Sequence, residues 1–166
     1  MIHVVVGDIA SVAADAVVRP ANTRLEPITP ALRRLEEAAG PRFQEQCRIQ
    51  WELGVGAAVV TRAGELSVEF VIHAVIGTDE STVTADGVRS AVAAALWQSQ
   101  QWQMEAVALP PLGQGQLSAQ ASADAMVPPI VEHLRNADHP ATVLIVVTTD
   151  QEREIFAARA GPGEPS

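Results

Sequence analysis

Short apolar runs alternate along the chain with segments in which apolar residues recur every three or four positions. The short runs are rich in Val and Ile and predict six β-strands, near residues 2–6, 15–20, 57–61, 69–76, 105–109 and 142–148. The periodic segments predict five helices, near residues 30–39, 41–52, 84–103, 119–136 and 150–159. This alternation is typical of an α/β protein with helices on both faces of one sheet.

Three local patterns refine this outline. The run Val143–Val147 is apolar at every position, which predicts a strand covered on both faces in the centre of the sheet. Pro128 and Pro129 fall inside a helical pattern and should break or restart it, because neither has an N–H to donate. The tail 161–166 is rich in Gly and Pro and is expected to be disordered, which leaves one domain over residues 1–160.

The two tryptophans of the predicted helix 84–103 fall on different faces. Trp102 shares the helical spacing of Val88, Val92 and Leu96, so we expect it in the core rather than as a platform for a ligand. Trp97 falls outside this stripe, which is consistent with an exposed position or an interface.

The composition indicates a packed protein of one domain. Of its 166 residues 48% are hydrophobic and 19% charged, and no apolar run approaches the roughly 20 residues of a membrane helix. The chain enters a strand at once, without a leader pattern, so we expect a soluble cytoplasmic protein with no membrane partner. Cys47 is the single cysteine and is interpreted as a small buried residue.

The four histidines do not have the spacing of metal ligands, so no metal or cofactor is predicted. His73 lies in an apolar strand and is interpreted as a buried, hydrogen-bonded histidine. The formal net charge is −9 and no lysine occurs, which disfavours general nucleic-acid binding. The candidate for a local basic spot is Arg33-Arg34 with Arg24 and Arg19, although a solvated helix face is the favoured interpretation.

Candidate chemistry lies at the ends of the first two strands. The first ends in Gly7-Asp8-Ile9, where the glycine permits a sharp turn that presents a carboxylate, and the second ends in Asn22, expected to lie beside it. Open α/β sheets bind ligands at this edge. Each residue also has a structural interpretation, because Asp8 suits a cap or turn and Asn22 suits a loop bonded to its own backbone.

This arrangement resembles the macro domain family. The family opens with Gly-Asp-Ile, an Asp-Ala-Ile-Val strand and Asn-x-x-Asn, and it has a second loop that is similar to residues 108–115 here. The resemblance implies a three-layer α/β/α sandwich with a mixed central sheet and a site for ADP-ribose. It assigns Asp8 to the adenine amino group and Asn22 to the distal ribose. The full set of ligand-binding residues that it implies is Asp8, Ile9, Asn22, Leu112, Gly113, Gln114, Gly115 and Gln116.

Departures from the family pattern concern the phosphate loop and catalysis. Arg19 stands at the first asparagine of Asn-x-x-Asn, and the glycine-rich run is replaced by Pro27 to Arg33, in which prolines remove donors that could turn towards a pyrophosphate. Thr29-Pro30 instead favours a helix start, with Gly40 as its end. Leu32 stands at the family's loop aspartate and cannot orient water.

Two further loops bear on ligand binding. Gly113 and Gly115 are candidates for the second phosphate loop, with the amides of residues 114–117 as donors, although a strand-to-helix turn also needs glycine. Thr149-Asp150 stands where many family members have an aromatic residue before aspartate, so the stacking ring is lost.

The function predicted from these residues is a non-catalytic module that binds ADP-ribose or a related adenine nucleotide weakly. The alternative is a degenerate macro domain with a filled cleft, acting as an interaction or scaffold protein, with a homodimer as one form. An ADP-ribosyl ester hydrolase ranks third.

Overall fold

The computed structural model describes residues 1–26, 30–49, 52–78 and 83–161, without the side chains of residues 30 and 31. Six strands are present in this part of the chain: β1 (Ile2–Val6), β2 (Ala16–Asn22), β3 (Ala58–Arg62), β4 (Phe70–Gly77), β5 (Ala106–Leu109) and β6 (Thr142–Val147). The α-helices are α1 (Pro30–Ala39), α2 (Pro41–Gln46), α3 (Ala85–Gln101), α4 (Ala119–Asn136) and α5 (Asp150–Ala160). A single turn of 3₁₀ helix, Ile9–Ser11, follows β1.

The strands form one sheet in the order β1-β6-β5-β2-β4-β3. All neighbours are parallel except β3, which pairs antiparallel with β4, so the sheet is mixed as expected. The register pairs Ile2 with Val143 and Ala16 with both Phe70 and Val107. The five parallel strands therefore end at one edge, and the loops that leave this edge build the candidate site.

Two apolar clusters cover the two faces of the sheet. Helices α1 and α2 pack on one face, where Val17, Phe43 and Val71 are buried. Helices α3, α4 and α5 cover the other face through a larger cluster that includes Leu96 and Phe156. The three-layer α/β/α sandwich is confirmed. No helix in the described ranges is both long and apolar enough to cross a membrane.

The position of β6 differs from the prediction. It lies second from one edge, between β1 and β5, rather than in the centre. Val143, Ile145, Val146 and Val147 are nonetheless buried, because an interior strand with helices on both faces is shielded wherever it stands in the order. The pattern of the run indicates coverage of both faces and carries no information about the number of strands on either side.

Two helix predictions also need correction. Helix α2 ends at Gln46, with Cys47 as its C-cap, well short of residue 52; residues 50–51 lie outside the described part of the chain. Helix α4 continues through Pro128 and Pro129. A proline in a helix interior costs about 3 kcal/mol, but each buried apolar side chain of this helix, such as Met126 or Ile130, contributes a comparable amount to packing.

The predicted core position of Trp102 is wrong, since 52% of it is exposed. Helix α3 ends at Gln101, one residue before Trp102, and the indole packs against the ring of Phe70, with 5.1 Å between centroids. Trp97 is also exposed, whereas Val88, Val92 and Leu96 are buried as the periodicity predicts. Helix α1 starts at Pro30 as expected. Its predicted cap Thr29 and the tail 162–166 lie outside the described residues.

Candidate functional site

A cavity of about 480 Å³ lies at the edge of the sheet where the parallel strands end. Its walls come from the loops after β1, β5 and β6, from β2, and from helix α1. This volume falls within the range of small-molecule sites in proteins. The lining residues are Gly7, Asp8, Ile9, Ala10, Pro20, Leu32, Arg34, Leu35, Pro110, Pro111, Gly113, Gln114, Val146 and Thr148.

Asp8 lies in this cavity and is exposed. Its Oδ1 accepts a hydrogen bond of 2.9 Å from the amide of Ala10, so the carboxylate caps the 3₁₀ turn. The interpretation of Asp8 as a cap is therefore confirmed, and its contact with a ligand stays a prediction. A carboxylate has four lone-pair sites, and one accepted bond leaves acceptor capacity for a ligand. Gly7 has no positive φ, so the chain does not need glycine to turn here.

The loop after β5 contributes Gly113 and Gln114 to the cavity but not Leu112, Gly115 or Gln116. Gly113 has φ +85°, and a Cβ atom there would come within 2.9 Å of Leu117 Cδ1. Its carbonyl accepts the amides of Gln116 and Leu117 at 3.0 and 2.7 Å. Two of the four amides predicted as phosphate donors are therefore already used inside the turn.

The other three predicted residues of this loop have structural positions. Leu112 is fully buried. Gln116 accepts a 2.7 Å hydrogen bond from the amide of Val83 through its side chain, and Gly115 has φ +89°, a conformation that favours glycine. Each of these residues therefore has a structural role, and none of them is among the described residues that line the cavity.

Asn22 does not line the cavity. Only 4% of it is exposed, and its Oδ1 accepts the amides of Arg24 and Glu26 at 3.0 and 2.9 Å. Its Nδ2 donates to Glu26 Oε2 at 3.1 Å. The structure thus gives Asn22 the loop-bonding role that the sequence left open.

The expectation that Asn22 lies beside Asp8 is wrong. Strands β1 and β2 are separated by β6 and β5, and three interstrand spacings correspond to about 14 Å. The cavity spans this distance, with Asp8 near the end of β1 and Pro20 on β2. The two residues are therefore at opposite ends of the row of strands that bounds the site.

Helix α1 forms an apolar wall of the cavity. Leu32 and Leu35 line it and are 6% and 3% exposed. Leu32 occupies the position where the resemblance places an acidic loop residue, so an apolar side chain stands where a proton acceptor would be. Arg34 lines the same cavity and is exposed.

Beneath the loop that follows β2, Arg19 is completely buried. Its Nη2 donates to the carbonyl of Leu25 at 2.9 Å, and Nη1 lies 2.9 Å from His73 Nδ1. Glu36 Oε2 on α1 is 3.8 Å away. Arg19 therefore joins the start of this loop to β4 and α1, and it does not belong to a surface basic spot with Arg24 and the arginines of α1.

The partners of His73 fix its tautomer. Arginine has only donors, so Nδ1 accepts, and the proton resides on Nε2, which donates to Thr61 Oγ1 at 2.8 Å. Burial, together with the charge of Arg19, lowers the pKa of His73 well below its ordinary value. The prediction of a buried, hydrogen-bonded His73 is confirmed.

Cys47 is also buried, as predicted. Burial raises the pKa of its thiol to about 11, against the opposing effect of the Arg19 charge. A thiol at such a pKa is a poor nucleophile. Burial lowers the pKa of Arg19, while Cys47 and Glu36 act in the opposite direction. In the described ranges no group of three His, Cys, Asp or Glu side chains has a metal-binding arrangement.

Several lining residues were missed by the sequence interpretation. Pro20, Pro110, Pro111, Val146 and Thr148 all stand at or just after the carboxyl ends of parallel strands. The rule that ligands bind at the carboxyl ends of parallel strands could have identified them. Most of them lack polar side chains, so the sequence offered no reason to assign them a role in binding. Leu35 carries no signal of this kind, because its place depends on how α1 packs.

A sequence model of the Macro domain matches residues 18–126 of this chain. A protein of Sulfurisphaera tokodaii, named only as an uncharacterized protein, is 28% identical over 162 residues that span 94% of this chain and 88% of its own. An O-acetyl-ADP-ribose deacetylase of Citrobacter rodentium is 44% identical over 78 residues. That match spans 45% of this chain and 44% of the enzyme, so the chain matches less than half the length of this relative.

Solved structures show the same fold. The Oceanobacillus iheyensis macrodomain with ADP superimposes with a TM-score of 0.82 at 20% identity, covering 95% of this chain and 88% of the other. The Trypanosoma brucei macrodomain in complex with ADP-ribose gives a TM-score of 0.84 at 16% identity, covering 96% and 69%.

Proposed function

The chain belongs to the macro domain family, and from this premise we propose that its cavity binds an adenine nucleotide, ADP-ribose or a smaller one, without hydrolysing it. The observation that carries the proposal is the 480 Å³ cavity at the carboxyl edge of the sheet, with the Asp8 carboxylate on its wall. Its other walls are largely apolar, which suits a flat base, and a carboxylate accepts from an exocyclic amino group.

Weak binding follows from the composition of the site. Pro27 and Pro30 lie in the segment that stands in place of the family's glycine-rich loop, and neither has an N–H. The amides of Gln116 and Leu117 bond to the carbonyl of Gly113. Each backbone contact to a charged phosphate oxygen is worth roughly 1.5–3 kcal/mol. A site with fewer such donors therefore holds a pyrophosphate orders of magnitude less tightly than an intact family site.

The absence of catalysis in this proposal is supported by Leu32. A side chain that neither accepts a proton nor orients water lines the cavity where the family pattern has an aspartate. The relative named O-acetyl-ADP-ribose deacetylase matches this chain over less than half its length, so its activity is not carried over.

The alternative, a filled cleft on a scaffold protein, is disfavoured by the open volume of the cavity. It remains the second candidate because Leu32 and Leu35 narrow the cavity from the side of α1. The two candidates make different predictions for ligand binding.

Isothermal titration of the full chain with AMP and ADP-ribose tests the proposal. We expect an ADP-ribose Kd no tighter than about 100 µM, similar to that of AMP, with both weakened by Asp8→Ala. Incubation with O-acetyl-ADP-ribose or ADP-ribose-1″-phosphate should give no product above the rate in buffer. Low-micromolar ADP-ribose binding with much weaker AMP binding would contradict the proposed loss of the phosphate site. Absence of binding of both ligands would favour the scaffold. Turnover by the wild-type chain that is abolished in Asn22→Ala, while this variant stays folded, would support the hydrolase.

A further inference from the structure

Among the described residues that line the cavity, one is a cation, Arg34, and one is a carboxylate, Asp8. The rest of the lining is apolar or uncharged, with Leu32 and Leu35 beside Arg34 on the same helix. A ligand that satisfies both charged groups needs a hydrogen-bond donor at one point and an anion at another. The proposed adenine nucleotide has this combination in its amino group and its phosphate.

Arg34 has no carboxylate partner in the described part of the chain. The chain has 11 basic residues, all arginine, against 20 acidic ones. Among the described residues, six arginines form ion pairs with Asp or Glu within 4.0 Å, namely Arg19, Arg24, Arg62, Arg89, Arg153 and Arg159. A guanidinium that lines a cavity without such a partner keeps its donors available for a ligand.

We propose that Arg34 binds the phosphate of the nucleotide and makes the site selective for ligands with one phosphate. This inference rests on the proposed function. A guanidinium presents a planar fork of N–H donors that matches two phosphate oxygens, and it brings a full positive charge where the family pattern relies on backbone amides. The segment Pro27 to Arg33, which stands in place of the family's glycine-rich run, contains two prolines without amide donors. Arg34 supplies side-chain donors instead.

Selectivity follows from the number of donors. One guanidinium can pair with one phosphate group, whereas the second phosphate of a pyrophosphate must be desolvated without a comparable partner beside the leucines of α1. AMP should therefore bind at least as tightly as ADP-ribose. Adenosine, which lacks the anion, should bind more weakly than AMP by the value of a charge-assisted contact, roughly 10-fold.

The neighbouring Arg33 provides a matched control. It carries the same charge on the same helix and is exposed, but it does not line the cavity. If Arg34 attracts the anion only through its charge, replacing Arg33 or Arg34 should weaken AMP binding equally. If Arg34 contacts the phosphate directly, only the Arg34 replacement should weaken it.

Titration calorimetry with adenosine and AMP on the wild-type chain, Arg34→Ala and Arg33→Ala tests this inference. We expect wild type and Arg33→Ala to bind AMP roughly 10-fold more tightly than adenosine. Arg34→Ala should bind both ligands with the affinity that wild type has for adenosine. Thermal unfolding of each variant verifies folding, which neither exposed arginine should disturb.

The outcomes separate the inference from the proposed function. Equal binding of adenosine and AMP by wild type overturns the role of Arg34 and leaves nucleotide binding in place. An equal loss of AMP affinity in Arg33→Ala and Arg34→Ala would indicate general electrostatic attraction and would also overturn the role of Arg34. Failure of wild type to bind either ligand overturns the proposed function, and the inference with it.

Discussion

Asp8 follows β1 and Asn22 ends β2 at the cavity edge of the sheet, yet the two side chains differ in how many of their hydrogen-bonding atoms a ligand can reach. Asp8 is exposed and uses one oxygen for the amide of Ala10. Asn22 is 4% exposed. Its side-chain oxygen accepts from two backbone amides, and its side-chain nitrogen donates to Glu26. The difference shows that the hydrogen-bonding needs of the loop decide whether a polar residue at a strand end can meet a ligand.

The loops after β1 and β2 differ in how many side-chain hydrogen bonds they require, because they leave the sheet in different conformations. After β1 the chain enters one turn of 3₁₀ helix, which needs a single side-chain acceptor. After β2 the chain makes a turn in which Leu25 has φ +61° and the amides of Arg24 and Glu26 point back at Asn22. The buried Arg19 then holds the carbonyl of Leu25 from below. The loop after β2 is therefore held together by internal hydrogen bonds, whereas the Asp8 carboxylate after β1 keeps acceptor capacity for a ligand.

Replacing Asn22 should give the largest change in stability. Asn22→Ala leaves two amides without their acceptor in a part-buried turn, so we expect a loss of about 2–3 kcal/mol in the free energy of unfolding, measured by chemical denaturation. Asn22→Asp keeps the acceptor oxygen and should lose less, although it brings a second carboxylate to Glu26. If Asn22→Ala kept wild-type stability but lost nucleotide binding, the family role for this residue would be correct.

The network beneath the same loop should make stability depend on pH. Because the pKa of His73 lies well below its ordinary value in the folded protein, the unfolded chain takes up the proton first as the pH falls. This contribution is fully present above about pH 6.5 and is lost as the pH falls through the folded-state pKa. Between pH 7 and 5.5 we expect a decrease of about 1 kcal/mol in the free energy of unfolding.

His73→Asn tests the assignment. It should be less stable than wild type at pH 7, since Arg19 loses its acceptor, but its stability should change less with pH over the same range. His3→Asn serves as the control, because His3 lies on β1, outside this network. If both variants followed the wild-type pH profile, the titration would have to be assigned to another group.

Local patterns were sufficient to predict the strands and most helices, because their signals come from neighbouring residues. The order of the strands was not predictable in this way. Nothing in residues 2–22 indicates that β6 and β5 separate β1 from β2, since both are supplied more than 80 residues later. The error about Asn22 and Asp8 came from this missing long-range information.

The arginines show the same limit at the level of single side chains. The sequence grouped Arg19, Arg33 and Arg34, but the structure buries Arg19, exposes Arg33 and places Arg34 in the cavity wall. Strand alternation turns Arg19 towards the buried face of Val17 and Phe43, and a compensating Glu36 and His73 come from distant segments. Charge alone does not reveal these partners.

The smallest change in stability is expected at Asp8. Asp8→Ala removes the cap of one 3₁₀ turn at an exposed position, so its free energy of unfolding should fall by less than about 1 kcal/mol, while its AMP affinity falls. The double variant Asp8→Ala/Asn22→Ala should lose the sum of the two single losses, because about 14 Å and two strands separate the sites. A double variant whose loss differs from that sum by more than about 0.5 kcal/mol would mean that the two loops support each other across the cavity. In that case Asp8 would be part of the same structural unit as Asn22, and its availability to a ligand would have to be reconsidered.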